Sequence, residues 1–489
     1  MSNPFKIEQE SSSVVFSSVA FLGLFLPVTF LAYYLTPRAW RNVTLALASI
    51  LFYAWGEPRF LILLVVSIAI NYRLAIAIDA ARSPARVVGI GVTINLFILG
   101  VFKYTGFLVD NVNLLLAHAG VGPLVVRPLP LPIGISFYTF HAISYLVDIY
   151  RRNAKPNRSI IDYCLYITLF PQLVAGPIIR YKDIQAQLRS RAASLDDVTA
   201  GALRFTMGLA KKVLIANQLA VVADAGFSVP PTELAPQVAW LSLLCYTLQI
   251  YFDFSGYSDM AIGLARMFGF RFPENFNYPY VASSMQDFWR RWHISLSTWF
   301  RDYVYIPLGG NRHGASRTLL NLWIVFLLTG FWHGATWNFV LWGAAHGALL
   351  TLERVMPGVD GRGQPVWRGL RHAYAIFAIM MTWVLFRADT LEHATQFYRA
   401  LFGIHVPANP SVTFDSLYST HLGWLLAGAM ILAGGAFRAT RVRLAPIVAV
   451  LRARNLDGWI AAAFVGPALA LSAMSIALGQ YNPFIYFRF

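Results

Sequence analysis

The sequence predicts an all-α integral membrane protein, a polytopic helix bundle of about 11–13 crossings with re-entrant segments. Three observations carry that prediction. Of the 489 residues, 57% are hydrophobic and only 13% are charged, where a soluble globular chain carries about 25% charged residues. The apolar residues arrive in blocks near the roughly 20 residues that a helix needs to cross a bilayer. The basic residues fall between those blocks, placed so that one topology gathers most of them on a single face. Mean hydropathy is +0.54. Disorder is excluded by the low charge density, and an ordinary soluble enzyme of two or three domains does not fit this composition. The net charge of +16, from 39 Lys and Arg against 23 Asp and Glu, is not needed for spanning. It calls for an orientation signal or an anionic partner.

Along the chain, Met1–Ser13 is polar and lacks the basic start of a signal peptide, so the run from Val14 is kept as a helix. Apolar spans follow at 14–35, 42–56, 59–78, 87–102, 131–149, 201–224, 236–252, 319–332, 336–353, 371–386, 421–437 and 458–478. Two further apolar segments are interrupted. Pro171, Gly176 and Pro177 break 160–178, and Asp253, Gly256 and Asp259 break 253–270. Irregular or polar backbone at membrane depth survives only inside protein or beside a cavity, so both segments read as interior or re-entrant. With the N-terminus outside and 160–178 re-entering, the loops carrying Arg38 and Arg41, Arg82 and Arg86, Arg151 to Arg158, Arg180 to Arg191, and Arg438 to Arg454 all face the cytoplasm. The connections 226–236 and 389–420 fall outside, and Arg399 is the one basic residue in them. No internal repeat or linker divides the chain. It reads as an N-terminal extension, 1–13, and one membrane domain, 14–489.

Several functions are excluded early. Cys164 and Cys245 both lie in apolar runs without a CxxC, which leaves no disulfide scaffold and no cysteine metal site. The basic residues form no single stripe, so a nucleic-acid groove is not expected. The chain has no HExxH, no GxSxG elbow and no Walker-type phosphate loop. Two histidines alone do not make a zinc site, and no metal is expected.

Residues 285–314 differ from the rest. Read as one helix, Phe288, Trp292, Ser295 and Trp299 share a face, with Arg290, Arg291 and Arg301 largely elsewhere around it. An aromatic and basic segment of this kind suits the cytoplasmic interface, its Trp at headgroup level and its Arg against lipid phosphate. It equally suits the wall of a cavity that takes an anionic substrate. The second feature is Thr329 to Asn338, where His333 lies between two apolar spans, flanked by Gly330 and Gly334 and by Trp332 and Trp337. An ionisable group at membrane depth is costly and points to function. A histidine can take and return a proton near neutral pH, and the glycines permit a close backbone approach. His293 is the second candidate. His141 and His346 read as ordinary core histidines. A base, a second histidine and a basic aromatic wall fit acyl transfer to a hydroxyl, and they also fit a proton-coupled transporter.

At these residues the chain resembles the membrane-bound O-acyltransferases, in particular the bacterial branch active in alginate O-acetylation. Trp289 to Tyr303 (WRRWHISLSTWFRDY), Tyr305 to Gly310 (YIPLGG) and Phe331 to Gly334 (FWHG) carry the resemblance. Support comes from VFSS at 15–18, FYAW at 52–55, FKY at 102–104, LPIGISFY at 131–138, FPQLVAGP at 170–177 and YFDFSGYSDMAIG at 251–263. The resemblance implies a helix bundle around a tunnel, with its catalytic core over about 131–355. It implies His333 as the catalytic residue and His293 as the second polar residue of the site. It also implies acetyl-CoA as donor substrate, with no bound cofactor. Arg290, Arg291 and Arg301 become candidate phosphate partners, with Trp292, Trp332 and Asn338 beside the substrate.

The expected function is therefore acetyl transfer across a bacterial inner membrane for O-acetylation of an exopolysaccharide, alginate-like or cellulose-like. Transfer would be direct or through a periplasmic acetyltransferase or a small membrane partner. Peptidoglycan or another envelope polymer as acceptor, a non-enzymatic polymer or lipid transporter, and a scaffold for a polysaccharide synthase are the alternatives. The aromatic C-terminus, Tyr481 to Phe489, reads as an interfacial belt or as a docking strip for a periplasmic partner.

Overall fold

Apolar blocks of this length leave the backbone no partner for its polar groups except itself, and the chain responds with helices. The computed structural model describes residues 16–356, 365–404, 406–435, 457–479 and 481–482. All regular structure there is helical, and the all-α polytopic expectation holds. Among the described residues five helices are long and apolar enough to cross a membrane: Pro58–Ala80, Pro84–Lys103, Leu195–Ser228, Gly314–His333 and Gly369–Arg387. Shorter apolar helices cover Phe21–Leu35, Thr420–Ala433 and Val465–Ala477. The basic loop from Arg438 to Arg454, the extension 1–13 and the C-terminal strip beyond Asn482 lie outside the described residues.

The described chain forms two compact units. The first holds residues up to Phe205 together with Met260–Pro273. In it Asn71 and Asn95, from the helices Leu61–Ala80 and Pro84–Lys103, exchange amide hydrogen bonds of 3.1 and 2.7 Å. Each also donates to a carbonyl one turn back in its own helix. Two polar side chains are thus satisfied inside apolar helices, which ties the pair together. The 160–178 segment is broken as expected. Helix Ile160–Thr168 stops at Leu169, and a four-residue turn, Phe170–Leu173, carries Pro171 at its start. The break is buried, with the Phe170 N–H donating to Ser49 Oγ. His141 is an ordinary core histidine, its Nε2 accepting the Ile179 N–H at 3.3 Å. A helix over Thr105–His118 was not expected from hydropathy.

The second unit holds Thr206–Asp259 and the chain from Glu274 onward. Here one expectation is corrected. The polar residues of 253–270 do not break a helix, since Pro236–Met267 runs unbroken for 32 residues. Asp253 pairs with Lys212 at 2.8 Å and Asp259 with Lys211 at 2.5 Å. Both lysines sit on a π-helical turn, Lys211–Ala216. At Gly256 an added Cβ would lie 2.7 Å from the Gly208 carbonyl oxygen. The acidic residues and the glycine therefore serve a close helix-to-helix contact, where buried charges are neutralised in pairs.

The same unit carries the helical hairpin Gly314–His333 and Trp337–Val355. Its two arms meet at Gly330 and Gly343, whose Cα positions leave no room for a side chain on either. That close approach brings the turn containing His333 against the aromatic core of the unit.

Candidate active site

The segment from Met285 begins with an N-cap. Ser284 Oγ accepts the Asp287 N–H at 3.0 Å, and Glu353 accepts the Gln286 N–H at 3.1 Å. The helix then ends after seven residues, Met285–Arg291. A second short helix, Ile294–Phe300, follows, and a π-helical turn over Arg301–Tyr305 completes the segment. This corrects the single amphipathic helix expected from the spacing. The break falls at His293, which adopts a left-handed conformation, φ 43° and ψ 54°. For a residue other than glycine that conformation costs about 1–2 kcal/mol. Two backbone hydrogen bonds hold it. Asn277 N–H donates to the Arg291 carbonyl and Ile294 N–H donates to the Asn275 carbonyl, both at 2.9 Å.

The break changes where every side chain in the segment points. His293 turns into the interior and is fully buried. Its ring stands edge-on to Phe254, with centroids 4.6 Å apart, and lies 6.5 Å from the Trp332 ring. Its Nδ1 faces Asn275 Oδ1 at 3.2 Å. Burial among these groups pushes the imidazole pKa down to about 3, so His293 is neutral at physiological pH. Trp292 is also buried, within a cluster of Phe276, Phe288 and Trp383 at centroid distances of 5.0, 5.5 and 5.1 Å.

His333 ends its helix, with Gly334 as the C-cap. It is buried, and its ring contacts Trp332, Trp342 and Phe386 at 4.9, 5.1 and 5.1 Å. Trp332 therefore stands near both candidate histidines. Asn338 donates to the Ala388 carbonyl at 2.6 Å, which ties the hairpin to the end of the Pro365–Arg387 helix. His346 is the core histidine expected, accepting the Trp289 indole N–H at 3.3 Å.

A cavity of about 1180 Å³ opens beside these residues. Arg290, Arg301 and Arg354 line it, together with Ser297 and Thr298. Two other lining residues relate it to the histidines. Ile294 is the next residue after His293, and Thr329 lies one helical turn before His333. Of the three arginines singled out in the sequence, the structure puts Arg290 and Arg301 on this cavity. Arg291 instead pairs with Asp287 at 2.9 Å and donates to the Asn277 carbonyl at 3.2 Å, bracing the break. Arg354 was missed. It follows the hairpin's second apolar span, and only the fold brings it to Arg290. Asn275 was missed too, because a lone asparagine in a loop carries no sequence signal.

Two histidine-bearing turns beside a basic cavity suit the transfer of a group from an anionic carrier to a hydroxyl. The model of the membrane-bound O-acyltransferase family, MBOAT, matches residues 139–391. The chain is 41% identical to the probable alginate O-acetylase AlgI of Azotobacter vinelandii, across 97% of this chain and 100% of that protein. It is 42% identical to the protein of the same name from Pseudomonas putida, with the same coverage. The peptidoglycan O-acetyltransferase of Helicobacter pylori is 37% identical across 80% of each chain. The chain thus belongs to the membrane-bound O-acyltransferase family and is a multi-pass membrane acyltransferase.

Proposed function

We propose that the protein takes an acetyl group from acetyl-CoA on the cytoplasmic side of a bacterial inner membrane and passes it outward for O-acetylation of an exopolysaccharide. The observation that carries this reading is the cavity holding Arg290, Arg301 and Arg354 next to the turns that bear His293 and His333. A CoA thioester brings phosphates for the arginines and places a reactive carbonyl at the end of a long arm. His333 then takes the proton of an attacking hydroxyl as its oxygen adds to the thioester carbonyl carbon. The tetrahedral intermediate collapses with cleavage of the C–S bond, and the proton passes to the departing thiolate. His293 orients one of the two reactants, and Trp332 stands against both histidines.

The polymer reading rests on the names of the relatives, two of which carry the name probable alginate O-acetylase AlgI. Acetyl transfer to the polymer is direct or completed by a periplasmic acetyltransferase or a small membrane partner. The test uses purified full-length protein, acetyl-CoA and unacetylated alginate oligosaccharides, with CoA thiol release and oligosaccharide acetylation as readouts. Both signals are expected, and both are expected to vanish in His333→Ala. Transport of an already acetylated substrate that stops in His333→Ala, without any CoA release by the parent, supports the transporter instead.

A further inference from the structure

One residue, Asn275, makes four hydrogen bonds to the three residues of the turn that bears His293. Its backbone carbonyl accepts the Ile294 N–H at 2.9 Å. Its side-chain Oδ1 accepts the Ser295 N–H at 3.2 Å and the Ser295 hydroxyl at 2.8 Å, and faces His293 Nδ1 at 3.2 Å. Its Nδ2 donates to Ser258 Oγ at 3.0 Å, on the long Pro236–Met267 helix. Asn275 is itself fully buried.

These partners fix the chemistry of the imidazole. A backbone N–H can only donate, so the Ser295 N–H identifies the atom facing it as the amide oxygen and not the nitrogen. An amide oxygen can only accept. The Ser295 hydroxyl stands 3.5 Å from the same His293 nitrogen but gives its one proton to Asn275 Oδ1 at 2.8 Å, so the nitrogen facing both oxygens is the one that carries the proton. In the neutral ring the lone pair is then on Nε2. A thioester carbonyl has no proton to offer that lone pair, whereas a sugar acceptor does, through a hydroxyl beside the one whose proton His333 takes.

We infer that Asn275 is a positioning residue that holds His293 as its Nδ1–H tautomer and so assigns it to the acceptor, at a hydroxyl next to the attacking one, rather than to the acyl donor. The inference takes His293 as part of the reaction site proposed above and specifies which reactant it serves. Asn275 acts through His293 and touches neither reactant.

The test compares Asn275→Leu, Asn275→Asp and His293→Ala in the full-length protein, with acetyl-CoA and unacetylated alginate oligosaccharides. Leucine keeps the volume and removes the acceptor oxygen. Aspartate keeps an acceptor oxygen. The expected result is a fall in kcat of about 10²-fold for Asn275→Leu, with KM for acetyl-CoA within about twofold of the parent. Asn275→Asp is expected within about tenfold of the parent's kcat. The aspartate arm stands on its own if the leucine variant does not fold. Asn275→Asp as inactive as His293→Ala overturns the inference, since the acceptor oxygen is then not what matters. A rise in KM for acetyl-CoA at unchanged kcat overturns it as well, because His293 would then serve the donor. His293→Ala with parental activity overturns the site assignment on which the inference stands. His293→Ala inactive beside a fully active Asn275→Leu overturns the inference alone.

Discussion

Replacing the cavity arginines separates donor binding from chemistry. Arg290, Arg301 and Arg354 share the cavity, but Arg301 is 59% exposed and pairs with Asp302 at 2.7 Å. A donor phosphate placed against it would therefore be screened by water and share the guanidinium with a carboxylate. About 1 kcal/mol per arginine is a fitting magnitude for such a pair, which is about fivefold in affinity. Each Arg→Gln variant should raise KM for acetyl-CoA about fivefold at unchanged kcat, and the triple variant about 10²-fold. The assay is CoA thiol release with acetyl-CoA, run in parallel with S-acetylpantetheine. The second donor has the same thioester and no phosphate, so its KM should not move. The difference between the two donors should also shrink as salt is raised. Arg291→Gln is the control. It removes the brace on Asp287 and Asn277 and should lower thermal stability without changing KM. An equal rise in KM for both donors, or no rise in the triple variant, refutes a phosphate role for this cavity.

Two further predictions concern the frame of the site. Lys212 and Asp253 are 1% and 2% exposed, so Asp253→Leu leaves a buried ammonium without its carboxylate and should cost about 3–5 kcal/mol. The double variant Lys212→Met with Asp253→Leu should recover most of that loss, read as the thermal unfolding midpoint in detergent. Gly343→Ala places a methyl group 3.2 Å from the Gly330 Cα and against the Phe326 carbonyl. It should destabilise by about 1–3 kcal/mol, with a fall in activity because the arms of the hairpin separate beside His333.

The frame was legible where composition alone decides it. Hydropathy located the helices around the site, and the flanking glycines and tryptophans singled out His333 as a candidate from His141 and His346, which also lie in apolar runs. The shape of the site was less legible. Nothing in the Trp292–His293–Ile294 sequence marks a left-handed residue, since no glycine or proline is present, and the local spacing continues an amphipathic helix across it. The break exists because the backbone at Asn275 and Asn277 pairs on both sides of His293. That long-range contact also sorts Arg290 from Arg291, which are neighbours in sequence and differ in role. For Asp253 and Asp259 the signal was present and misread. Two acidic residues in one apolar segment, and two lysines inside the apolar run before it, point to paired helices rather than to a broken one.

The most direct test of the account is CoA release by purified His333→Ala against the parent, with acetyl-CoA as donor and unacetylated alginate oligosaccharides as acceptor, at matched amounts of folded protein. The account predicts steady CoA release and oligosaccharide acetylation by the parent, and loss of both by at least about 10²-fold in the variant. CoA release by His333→Ala at the parent's rate contradicts it.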